Sequence, residues 1–256
     1  MGKPRRTTKH EGELFLLENN NKAILEGPQK KHWSKHDIKS IRPLTENQQA
    51  MFQAYFQGSN VCAHGSAGTG KTYLALYLAM CDVLDGNRDQ THLMIIRSAV
   101  PTREVGFLPG TLEEKVSLYE NPYRDLFADL FHRFSTYDDM KEAGLVRFVT
   151  THSIRGLTWD NAVVVVDEGQ NMTWHELDSV MTRVGSNTRV VFTGDFSQTD
   201  LNKNPRDKSG IERFIHVAAA MKEFASIQFT VDDIIRSDFV KSWIIAAERS
   251  SVVFKE

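Results

Sequence analysis

Gly65-Ser66-Ala67-Gly68-Thr69-Gly70-Lys71-Thr72 is the stretch that decides the fold. Its spacing is G-x-x-x-x-G-K-[ST], a phosphate-binding loop, and it predicts a nucleoside triphosphate with Mg²⁺ as ligand. Glycines let the backbone turn tightly, so successive N–H groups can point at phosphate oxygens. Lys71 supplies a point charge for the β- and γ-phosphates, and the Thr72 hydroxyl is placed for the metal. Context supports the pattern. Asn60-Val61-Cys62-Ala63-His64 before it reads as a short buried strand, and Tyr73–Met80 after it is a strong helix former, apolar on most faces. The start of that helix brings a positive dipole end under the same anion. Gly65, Ser66, Ala67, Gly68, Thr69, Gly70, Lys71, Thr72 and Tyr73 are therefore the candidate nucleotide-binding residues.

Around this centre strands and helices alternate. Thr45 can cap a helix over Glu46–Phe56, which Gly58-Ser59 ends. His92–Arg97, Leu145–Thr150, Val163–Val166, Arg189–Thr193 and Ile227–Thr230 read as strands. Helices are expected over Glu113–Tyr119, Tyr123–Phe134, Thr173–Val184, Gly210–Phe224 and Asp238–Glu248. The apolar, β-branched run Val163-Val164-Val165-Val166 marks a central parallel strand. Such alternation predicts an α/β fold of three layers, a mostly parallel central sheet with helices on both faces.

Bulk properties set limits. The 256-residue chain balances 31 Lys and Arg against 33 Asp and Glu, but residues 1–42 carry 10 of the former and 5 of the latter. Residues 1–43 read as a polar, basic N-terminal arm, and 44–256 as a single domain. Basic residues on the arm are compatible with nucleic-acid contact. No apolar stretch approaches the ~20 residues of a membrane span, so no membrane is expected as partner. The N-terminus lacks the apolar core of a secretory signal, and Cys62 and Cys81 lie on a predicted core strand and helix. A reducing cytoplasmic location is the expectation.

The valine run ends in Asp167-Glu168. A carboxylate at the carboxyl end of a central strand, beside a phosphate loop, is where a metal-binding group belongs, and Asp167 takes that role with Thr72. Glu168 can then orient or deprotonate the attacking water. Gly194-Asp195-Phe196-Ser197-Gln198 follows the next strand, and the Gln198 amide can sense the γ-phosphate or hold that water. Gln48, one helix and one strand before the loop, can read an adenine edge, or it is a surface glutamine. Together with the lack of an Asn-Lys-x-Asp guanine motif, Gln48 favours ATP. Arg236 can add a cation at the γ-phosphate, or pair with Asp232 or Asp233. Lys71, Glu168, Gln198 and Arg236 are thus the candidate catalytic set.

Together these motifs resemble the PhoH-like ATPases, relatives of the core domain of superfamily 1 helicases. The resemblance is carried by Gly65–Tyr73, Gly106-Phe107-Leu108-Pro109-Gly110 with Glu113-Glu114-Lys115-Val116, Arg155-Gly156, Asp167-Glu168-Gly169-Gln170-Asn171-Met172-Thr173, Thr193-Gly194-Asp195 with Gln198, Asp200 and Leu201, and Asp233-Ile234-Ile235-Arg236. It covers about residues 44–250 and implies a P-loop NTPase fold of the RecA/helicase-like kind. It also implies ATP hydrolysis with Mg²⁺, and coupling to RNA or single-stranded DNA. Arg97, Arg103 and Lys115 near strand ends are placed to meet backbone phosphates. A homo-oligomer, a hexameric ring, is the implied assembly, with Arg236 acting in cis or at a subunit boundary. The alternative is an ATP-dependent oligomerising switch that hydrolyses slowly and moves no strand. The sequence departs from the family pattern at Gly169, where an alanine is usual, and at Ser98, often proline. The glycine is expected to preserve the site.

Overall fold

A computed structural model of the chain describes residues 33–98, 112–154, 156, 158–195 and 209–253. The chain divides into two compact units, residues 1–33 and 34–256, and the second holds everything below. Its elements are α1 (Glu46–Phe56), β1 (Asn60–Gly65), α2 (Lys71–Val83), β2 (His92–Arg97), α3 (Leu112–Phe131), α4 (Thr136–Glu142), β3 (Val146–Thr150), β4 (Ala162–Asp167), α5 (Trp174–Met181), β5 (Arg189–Gly194), α6 (Ile211–Ala220), β6 (Phe224–Phe229) and α7 (Asp238–Val253).

The six strands form one sheet in the order β3-β2-β4-β5-β1-β6, and every strand pairing in it is parallel. Parallel neighbours need helical crossovers, and right-handed ones place leftward and rightward connections on opposite faces. From β1 the chain moves left through α2 to β2, and from β4 and β5 it moves right through α5 and α6. The result is a three-layer α/β sandwich. All six residues of β4 are buried. Val164 and Val166 pack with Leu177 and Val180 of α5 and Phe214 of α6, while Val163 and Val165 face the other side. Each such side chain contributes about 1.5–3 kcal/mol by leaving water.

Local chemistry explains the element ends. Thr45 accepts from the Gln48 N–H at the start of α1. Thr173 and Glu176 form a reciprocal capping box on α5. Gly210 precedes α6 because a Cβ there would lie 2.4 Å from the Trp174 nitrogen.

Three elements differ from the sequence reading. The two helices expected around residues 113–134 are one, α3, which runs through Pro122. The missing proline N–H costs one ladder bond, and burial of Tyr123, Phe127 and Leu130 on the same helix holds it together. Helix α4 was not expected. Its seven residues bury only Thr136, Tyr137 and Met140, too few for a visible period. Strand β6 begins at Phe224, where the helix expected to reach that residue has already ended at Ala220. Its first three residues are only partly covered and carry no apolar alternation.

Candidate functional site

Strand β1 delivers the loop. Gly65 has φ +118°, and a Cβ on it would lie 2.0 Å from the Phe229 carbonyl oxygen of β6, so only glycine fits. Gly68 and Gly70 also have positive φ, and Gly70 opens α2. Lys71, the first residue of α2, folds back over the loop. Its Nζ donates to the carbonyls of Gly65 (2.8 Å) and Ser66 (2.6 Å), and to Thr69 Oγ1 (3.3 Å). Burial lowers its pKa, against the opposing pull of Asp195, Glu168, Asp167 and Asp233. The ammonium is therefore poorly hydrated, which strengthens its attraction for an anion.

The carboxylates sit at the strand ends. Parallel register puts Arg97 of β2 beside Asp167 of β4, on the face covered by α2. Asp167 is buried and takes three hydroxyl donors: Thr72 from α2 (2.7 Å), Thr193 from β5 (2.6 Å) and Tyr123 from α3 (2.8 Å). The chain then turns sharply, with Glu168 in the left-handed region at φ +53°. The Glu168 carboxylate accepts from Gln170 Nε2 at 2.5 Å, and Gln170 Oε1 accepts from the Asp195 N–H beyond β5 at 3.0 Å. Burial, then the charge of Asp167, raise the Glu168 pKa over the opposing effects of Arg97, Gln170 and Lys71. That direction suits a proton acceptor.

Ala67, Gly68, Thr69, Gly70, Lys71, Thr72 and Tyr73 line one cavity of about 370 Å³ together with Asp167, Glu168 and Arg236. Arg97, Tyr123, Gln170, Thr193 and Asp195 line it too. Arg236 reaches it because the Ile235 N–H donates to the Gly68 carbonyl (3.3 Å). Asp233, one of its candidate ion-pair partners, instead accepts from Asn47 Nδ2 (2.8 Å) and the Thr230 N–H (2.9 Å). Gln48 is buried: its Nε2 donates to the Thr69 carbonyl (3.0 Å), and its Oε1 accepts from the Leu44 N–H (2.8 Å). It ties the loop to the wall of a neighbouring cavity of about 590 Å³, where Ile41, Leu44, Tyr73 and Ile235 also lie. Gln198 and Arg103 lie outside the described residues, as does the side chain of Lys115.

The sequence reading passed over Tyr123, and it took Arg97 for a strand-end cation. The structure puts both in the wall of the cavity at the loop. Gln170 and Thr193 were visible as motif residues, without their contacts. At Gly169 a Cβ would lie 2.2 Å from the Phe192 ring, which stacks on Phe214 at 4.2 Å between centroids. The glycine leaves the room that this ring occupies.

The donor set is all hard oxygen, Thr72 and Asp167, with room for phosphates, and it fits Mg²⁺. Among the described residues no cluster of three or more His, Cys, Asp or Glu could hold a metal by itself, and no helix is long and apolar enough to cross a membrane. A metal held by one carboxylate, one hydroxyl and substrate phosphates is the usual arrangement for Mg²⁺.

The chain is similar to known proteins over most of its length. The family model described as PhoH-like protein matches residues 40–248. A PhoH-like protein of Mycobacterium tuberculosis is 33% identical over 212 residues, 82% of this chain and 59% of that one. A PhoH-like protein of Bacillus subtilis is 33% identical over 214 residues, covering 83% and 66%. Protein PhoH of Escherichia coli is 31% identical over 204 residues, covering 78% and 56%. The matches thus span little more than half to two thirds of these relatives. Among solved structures, the Pif1 helicase of Candida albicans matches with a TM-score of 0.36 and 15% identity, over 78% of this chain and 43% of that one. The Sulfolobus solfataricus SWI2/SNF2 ATPase core in complex with dsDNA matches at 0.41 and 14%, over 77% and 47%.

Proposed function

The chain belongs to the PhoH-like protein family, and from that premise we propose that it binds and hydrolyses ATP and couples the hydrolysis to RNA or single-stranded DNA. One observation carries the reading. The loop lysine, the Thr72–Asp167 pair at 2.7 Å and the Glu168 carboxylate line a single cavity at the carboxyl ends of the strands. Phosphoryl transfer needs positioning and charge neutralisation more than covalent chemistry, and those groups supply both.

In this reading the loop N–H groups and Lys71 hold the β- and γ-phosphates. Thr72 and Asp167 would hold Mg²⁺, which would supply charge neutralisation at the phosphates. Glu168, fixed by Gln170, accepts a proton from the attacking water, and the elevated carboxyl pKa favours that transfer. Arg236 of the same chain, placed beside Gly68, stabilises charge on the leaving phosphates. Gln198 adds an amide that senses the γ-phosphate. The base enters the neighbouring cavity against Tyr73, with Gln48 bracing its wall. Nucleic-acid coupling is supported by family membership and by the basic residues of 1–42.

The test is steady-state ATP hydrolysis with and without single-stranded RNA and single-stranded DNA at low salt, with Glu168→Gln as blank. Stimulation by one polymer that fades as salt rises is expected, because phosphate contacts release counterions. Slow hydrolysis unchanged by either polymer would overturn the coupling and leave an ATP-dependent switch. Sizing the particle with and without ATP tests assembly into a ring.

A further inference from the structure

Helix α3 touches the nucleotide site at two separated points. Tyr123 is 1% exposed, its ring lies 5.6 Å from that of Phe148, and its hydroxyl donates to Asp167 Oδ2 at 2.8 Å. Asp129 on the same helix accepts from the Tyr73 hydroxyl at 2.5 Å and from Lys39 Nζ at 3.3 Å. Tyr73 and Lys39 line the cavity that adjoins the loop.

The contacts on Asp167 divide by oxygen. Oδ1 takes Thr72 and Thr193, which come from the loop helix and the next strand. Oδ2 takes only Tyr123 among the described residues. A carboxylate fixed at one oxygen can still rotate about its Cβ–Cγ bond, and terminal torsions of this kind are broad. A donor on the other oxygen removes that freedom. Outer partners of this kind govern metal affinity, since they fix the orientation and basicity of the ligand. Tyr123 is buried against β3, so the orientation of Asp167 is set by the seat of α3.

We propose that Tyr123 is a positioning residue that locks the Asp167 carboxylate for the Mg²⁺–nucleotide complex, while Asp129 braces Tyr73 at the base end. Helix α3 thereby holds both ends of the ligand. The proposal rests on the nucleotide-binding reading of the cavity.

The experiment titrates the full chain with a fluorescent ATP analogue, in EDTA and across a range of Mg²⁺ concentrations. Wild type, Tyr123→Phe and Asp129→Asn are compared, each with a thermal melt of the free protein. For Tyr123→Phe, affinity in EDTA should be unchanged, and the Mg²⁺ concentration for half-maximal binding should rise about tenfold. For Asp129→Asn, affinity should fall by the same factor with and without Mg²⁺. A Tyr123→Phe protein with an unshifted Mg²⁺ dependence, or with equal losses in EDTA and Mg²⁺, would overturn the positioning role. A wild-type chain that binds no analogue would overturn the nucleotide site itself and this inference with it.

Discussion

Two aspartates in this molecule are buried almost equally, Asp82 at 2% exposure and Asp167 at 3%, and each accepts a tyrosine hydroxyl at 2.8 Å. They differ in what neutralises them. At the amino ends of the strands, Asp82 takes Arg189 Nη1 at 2.7 Å. The Arg189 guanidinium also covers the Tyr55 ring at 3.6 Å and donates to the carbonyls of Tyr55 and Ser59. The charge is answered inside the fold. At the carboxyl ends, Asp167 receives three neutral hydroxyls; Arg97 lies beside it in register without a contact ion pair among the described residues, and Lys71 spends its donors on the loop. One buried carboxylate with an internal cation is a brace. The other, held by neutral hydroxyls beside a cavity, is the carboxylate that the proposed function assigns to a cation from outside.

That contrast predicts a separation of activity from stability. Lys71→Ala should lower turnover beyond about 10³-fold and weaken nucleotide binding, because a preorganised charge at the phosphates is lost. Its melting temperature should hold or rise, since a desolvated ammonium is removed. A loss of fold in a melt would erase the distinction between the two ends.

Glu168→Gln should keep nucleotide bound and cut turnover by about 10²–10⁴-fold. Normal turnover would take Glu168 out of the mechanism. The same variant sharpens the contrast through pH. The Glu168 pKa is raised in the folded state, so its contribution is fully present below the unfolded pKa and is lost as pH rises through the folded one. In nucleotide-free, metal-free buffer, the variant should therefore match wild type in acid and exceed it at neutral pH. Urea unfolding at the two pH values reads this directly.

Asp82→Ala should do the opposite, costing about 3–5 kcal/mol because Arg189 is left buried and unpaired. Its hydrolysis rate per folded molecule should stay near wild type. A selective loss of activity there would show that the far end of the sheet reports to the site. Arg236→Ala is the smallest expected change, about 10²-fold in turnover, the loss of one preorganised donor, with little change in nucleotide affinity or melting. An equal loss of affinity would make it a ground-state binding residue.

The legible parts of this protein are those written contiguously. Gly65–Thr72 and Val163–Glu168 carry both their element and their chemistry in adjacent letters, and parallel register then brings them together. What was not legible depends on distant pairs. Tyr123 meets Asp167 across 44 residues, and nothing around Tyr123 distinguishes it from a core aromatic. Arg97 was read only as a strand-end cation for backbone phosphates, because register with Asp167 belongs to the sheet, not to either segment. Gln48 was legible as a position near the glycine loop, but its two amide contacts, to Thr69 and Leu44, exist only once the loop has closed. Helix α3 was read as two because a proline in sequence speaks for a break, while the buried face that overrides it comes from tertiary packing.

The Phe192 ring occupies the volume that a methyl group on residue 169 would need, and it is stacked on Phe214. A methyl group at 169 and a phenylalanine at 192 therefore claim the same space directly behind Glu168, and an alanine at 169 asks for a smaller side chain at 192. Substitutions at these two positions will not add, because each sets the room left to the other.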